Sequence, residues 1–88
     1  MPKFMSSHQL PPGGMSRDQV CKMGAAAQQE AGVKPYRSFL NLKEGKAFCV
    51  IESDNKENIA AWFKKMGMPY DSITQVELEG VAGMVNDP

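Results

Sequence analysis

Few side chains in this sequence can do chemistry by themselves, and His8 is the first of them. It is the only histidine among 88 residues, so one chain cannot supply a pair of imidazoles. A carboxylate beside it would make either an acid–base pair or part of a transition-metal site, since imidazole and carboxylate both suit nickel and zinc. Glu52 is the candidate. The strand carrying His8 and the strand ending at Glu52 are expected to lie side by side and parallel, which would put the two residues at one edge. Tyr36 and Arg37, opening a neighbouring strand, and Gln75, near the start of the last strand, are expected at the same edge as cofactor-binding groups. A one-residue slip would turn Glu52 to the other sheet face. A structural hydrogen-bonded network would have the same composition.

Seven methionines raise the question of soft-metal ligation through Met5, Met23, Met66 and Met68. Met23 and Met66 fall on apolar helical stripes, however, where methionine fills core space. Cys21 and Cys49 have no zinc or redox spacing and read as small buried hydrophobes with unreactive thiols. There is no Ser-His-Asp order, glycine-rich phosphate loop or paired-cysteine motif, and no catalytic residue is assigned.

The elements that must position these residues follow from pattern. Lys3 to Gln9 alternates as a strand, with Phe4, Ser6 and His8 on one side and Met5, Ser7 and Gln9 on the other. Pro11-Pro12-Gly13-Gly14 ends it. Ser16 and Gln19 form a capping box for a first helix, whose stripe is Val20, Met23, Ala27 and Ala31. Gly24 lies on that stripe. A glycine there costs about 1 kcal/mol against alanine, and close packing against a sheet is the expected reason. Gly32 is placed to stop the helix. Strands at Tyr36–Leu42 and Ala47–Glu52 flank a polar turn, Lys43-Glu44-Gly45-Lys46, and should pair as a hairpin. Asp54 and Glu57 predict a second capping box, followed by an apolar face of Ile59, Trp62, Phe63 and Met66. Gly67 and Pro69 end that helix. Ile73–Glu79 alternates as a fourth strand.

Strand–helix–strand–strand–helix–strand order predicts an α+β, ferredoxin-like βαββαβ sandwich. Right-handed crossovers put both helices on one face of a four-stranded antiparallel sheet of order 4-1-3-2. Residues 1–79 form the single domain and 80–88 a flexible tail. The strands carry apolar residues of both parities, such as Phe39 beside Leu40 and Cys49 beside Val50. A helix-free face would stay wet in a monomer, so a homodimer is expected.

Bulk properties exclude several classes. Ten Lys and Arg balance ten Asp and Glu, leaving no basic footprint for nucleic acid or an anionic membrane. No apolar run reaches the roughly 18 residues of a membrane span. No signal-peptide pattern opens the chain, so a cytoplasmic setting with reduced cysteines is expected.

The pair Phe4-Met5 with His8 three residues beyond, Phe48-Cys49-Val50, Gly67-Met68-Pro69 and Ile73-x-x-Val76 occur in an order and spacing that resemble a known family. It comprises small uncharacterised ferredoxin-like domains and includes nickel-binding proteins, and the resemblance spans residues 2 to 79. It implies the ferredoxin-like fold, a dimer and, in some members, nickel bound through histidines and acidic residues. Metal-competent members tend to carry further histidines on both helices. Here the corresponding stretches read Met23-Gly24 and Phe63-Lys64-Lys65-Met66-Gly67-Met68.

Transition-metal binding, with nickel or zinc on His8 and Glu52, is therefore the first functional expectation. The alternatives are a dimeric α/β-barrel small-molecule binder or enzyme, and a plain dimerising module. Tight metal retention would separate the first from the others, and an apolar cavity above strand one would favour the binder.

Overall fold

The structure, a computed structural model, describes all 88 residues. The elements are β1 (Lys3–Gln9), α1 (Arg17–Gln28), β2 (Lys34–Asn41), β3 (Lys46–Glu52), α2 (Lys56–Met66), β4 (Ser72–Gln75), β5 (Glu79–Val81) and β6 (Met84–Asn86). Strands β1 to β4 form one antiparallel sheet of order β2-β3-β1-β4, the ferredoxin-like plait.

Local chemistry explains most boundaries. Ser16 caps α1 by accepting from the Gln19 amide at 3.2 Å, while the Gln19 side chain accepts from the Ser16 amide at 2.7 Å. Both halves of the expected capping box are present. The cap of α2 is Asn55 rather than Asp54: its Oδ1 accepts from the Asn58 amide at 2.9 Å. Gly67 ends α2 in the left-handed region, at φ 67°, where glycine is unstrained. Helix α1 stops at Gln28 with its cap at Gln29, before Gly32 is reached.

One glycine holds two loops together. The Leu10 amide donates to the Gly45 carbonyl at 2.6 Å. A Cβ on Gly45 would stand 2.0 Å from the Leu10 carbonyl oxygen, and its φ is +74°. No side chain fits there without moving the backbone.

The period-2 pattern of β1 sorts its side chains as expected. Phe4, Ser6 and His8 are buried and Met5 and Gln9 are exposed. With Ala47 and Ile51 of β3, Phe4 forms the sheet side of a core closed by Ala27 of α1 and by Ile59, Trp62 and Phe63 of α2. Both helices thus cover one sheet face. Of the stripe expected on α1, only Ala27 is buried; Val20 and Met23 are half-buried and Ala31 is exposed. A side chain at Gly24 would meet nothing within 4 Å, so close packing is not the reason for that glycine.

Two further expectations are corrected. Strands β1 and β3 pair antiparallel, not parallel. The β2–β3 hairpin reverses the chain, and β2 runs parallel to β1 through the α1 crossover, so β3 must oppose both. The last strand of the sheet ends at Gln75, and most of the segment expected as a tail pairs as the β5–β6 hairpin, with Gly80 opposite Val85. No helix is long and apolar enough to cross a membrane.

Candidate functional site

His8 sits on the helix side of β1, 3% exposed. Its Nδ1 lies 2.7 Å from the Pro69 carbonyl oxygen and its Nε2 lies 2.7 Å from Ser6 Oγ. A carbonyl only accepts, so Nδ1 carries the hydrogen and donates to Pro69. In the neutral ring Nε2 then accepts from the Ser6 hydroxyl, a tautomer fixed by the network. The Cys49 carbonyl is 3.4 Å from the same hydroxyl. The single hydroxyl proton goes to the nearer partner. The edge of the ring meets Phe63, with centroids 4.8 Å apart. Both ring nitrogens are engaged, so none has a free lone pair for a metal. The network joins β1 to the segment that follows α2.

Glu52 lies at the other end of the sheet. It stands opposite Lys3 of β1, whereas His8 stands opposite Ala47. Five positions along β1 separate the two ends, roughly 17 Å at about 3.3 Å per residue. Glu52 also faces Lys34 across the β2 ladder, so two cations are its direct cross-strand neighbours. The antiparallel course of β3 is what parts the expected pair.

Tyr36, Arg37 and Gln75 lie towards the same end of the sheet as Glu52 but do not converge: Tyr36 and Gln75 are on opposite edge strands, and Gln75 pairs on the face opposite to that of Glu52. Gln75 stands opposite Phe4, and Arg37 follows a register shift after Pro35. Two residues missed by the sequence reading tie this end together. Lys3 Nζ sits 3.8 Å from the centroid of the Tyr36 ring and 3.5 Å from Glu79 Oε1. The Tyr36 hydroxyl donates to Glu79 Oε2 at 3.2 Å, and the Arg37 guanidinium lies 5.7 Å from the same ring. The network anchors β5 to the edge of the main sheet. No short-range pattern signals it, because its members come from β1, β2 and β5.

No three His, Cys, Asp or Glu side chains converge anywhere in the chain. With His8 engaged on both nitrogens and Glu52 flanked by lysines, the donors of one chain do not fit a nickel site. Cys21 is exposed and Cys49 half-buried, both free, so the expected burial of Cys21 does not hold.

The helix-free face of the sheet is the most distinctive surface. Phe39 of β2 stands opposite Phe48 of β3, and Met5 of β1 opposite Val50. Phe39 is 61% exposed, Phe48 45% and Met5 44%. Leu78 and Val81, also exposed, flank a groove of about 240 Å³ where the β5–β6 hairpin meets this face.

Comparison with known proteins gives this geometry a family. The model of the nickel responsive protein SCO4226-like family matches residues 4–76, which include both helices and, but for Lys3, all four strands of the main sheet. The chain belongs to this family. Among solved structures it is similar to SCO4226 from Streptomyces coelicolor A3(2), with a TM-score of 0.74 and 21% sequence identity. The match covers 89% of this chain and 99% of that one. At that identity the likeness is one of fold. No curated protein matches the sequence.

Proposed function

We propose that this SCO4226-like chain works as a homodimer in which the helix-free faces of two sheets meet. The observation carrying this reading is the contiguous set Phe39, Phe48, Met5 and Val50, paired across three neighbouring strands and largely exposed on the face without helices. Large side chains of this kind seldom form a contiguous exposed patch unless the patch is used. A chain of 88 residues also buries a modest share of its surface alone, roughly 60–65%, and gains stability from association. Sedimentation equilibrium of the wild type and of Phe39→Glu tests it. The wild type is expected as a dimer and the variant as a folded monomer; a monomeric wild type at micromolar concentration overturns it.

The family match favours a second reading, that the dimer binds nickel. Two copies double a donor set that is insufficient in one chain. His8 is not proposed as a donor, since releasing Nε2 would break its bond to a buried Ser6 hydroxyl. Calorimetric titration with nickel and with zinc tests this reading. Measurable affinity, unchanged in His8→Ala, is expected. Absence of any binding to the wild type removes the metal reading, and loss of binding in His8→Ala would put His8 in the site.

A further inference from the structure

A cavity of about 80 Å³ lies beneath α1, between that helix and the sheet. Met15, Met23, Gly24, Cys49, Trp62 and Met68 are among its walls, and no charged side chain lines it. Protein interiors rarely keep voids larger than a water molecule, because the lining loses its dispersion contacts. This one is also kept open at a position where filling it would be simple. Gly24 lies in the middle of α1, where glycine is a poor helix former, and a Cβ there would meet no atom within 4 Å. Alanine would favour the helix without a clash, so neither helix formation nor close packing calls for the glycine. Its position instead keeps the cavity wall low. Helix α1 is held loosely above it, with Ala27 as its one buried residue.

The wall chemistry selects the occupant. An apolar, uncharged lining rejects ions and strongly hydrated groups. The Trp62 indole and three methionine sulfurs suit an aromatic ring, since thioethers make favourable contacts with ring edges and adapt their shape. A dry apolar cavity of about 150 Å³ accommodates benzene in another protein; here the flexible methionines and the open side of the cavity supply the remaining room. We propose that the cavity beneath α1 is a binding site for a small uncharged aromatic molecule of one ring, held between Trp62 and the Met23 and Met68 thioethers. The site is independent of the dimer face and of any metal.

Toluene is the probe, added to the full-length protein labelled with carbon-13 at the methionine methyls. Saturable shifts are expected for Met15, Met23 and Met68, with the exposed Met1, Met5 and Met84 unmoved. Shifts confined to Met5 would send the ring to the open sheet face and overturn the proposal, as would no saturable shift at any methyl. Gly24→Leu, which fills the space, is expected to weaken binding at least tenfold while the protein still melts cooperatively. Unchanged affinity in a folded Gly24→Leu protein would also overturn it. If that variant does not fold, the methyl pattern of the wild type decides alone.

Discussion

At the scale of single residues, the chain's one imidazole is a structural strut. His8 links Ser6 and Pro69 from within the core, so its removal leaves the Ser6 hydroxyl only the longer bond to the Cys49 carbonyl, takes the donor from the Pro69 carbonyl and opens a gap beside Phe63. A group left unsatisfied in this way costs about 1–3 kcal/mol. His8→Ala is therefore expected to lose about 2–3 kcal/mol of unfolding free energy in denaturant titration, and a loss under 0.5 kcal/mol would contradict the network. The cysteines separate by burial. Cys21 lies exposed on α1 and Cys49 half-buried in β3. A thiol reagent under native conditions is expected to label Cys21 rapidly and Cys49 at least several-fold more slowly; equal rates would count against the packing of β3.

Several elements were legible where a local interaction fixes them, although the cap of α2 falls at Asn55, one residue beyond the expected Asp54. The Ser16–Gln19 capping box, the alternation of β1 and the glycine end of α2 all depend on residues within one or two turns of each other. Relations between elements were less so. The direction of β3 relative to β1 follows from counting chain reversals rather than from any residue, and the candidate site depended on that direction. The β5–β6 hairpin was hidden for a different reason. Its turn residues Ala82 and Gly83 both have positive φ, 49° and 90°, the geometry of a tight hairpin that Asn-Gly or Asp-Gly usually announces. Alanine in that position gives no signal and carries some strain. Gly24 gives the opposite lesson, since close packing was expected and open space is found. Gly24→Ala is expected to raise unfolding free energy by up to about 1 kcal/mol, measured by thermal or denaturant unfolding. A destabilised variant would mean that the helix packs more tightly there than the open space indicates.

For the whole molecule, the two faces of the sheet have different fates. One is closed by α1 and α2 over Phe4, Ala47 and Ile51. The other presents Met5, Phe39 and Phe48 to solvent, framed by a polar network of Lys3, Tyr36 and Glu79 at the sheet edge. An apolar centre with a polar rim is the usual anatomy of a protein interface. Membership of the SCO4226-like family supplies the fold, while this chain's own donors leave nickel without a site in a single copy. Assembly through the open face is what these features favour. Its most direct test is sedimentation equilibrium of the wild type beside the double variant Phe39→Glu, Phe48→Glu, each with a concentration series of melting curves. The wild type should sediment at twice the 9.7 kDa chain mass and melt at a temperature that rises with concentration, while the double variant should be a folded monomer. A wild type that sediments as a single chain, with a melting temperature independent of concentration, would rule the dimer out.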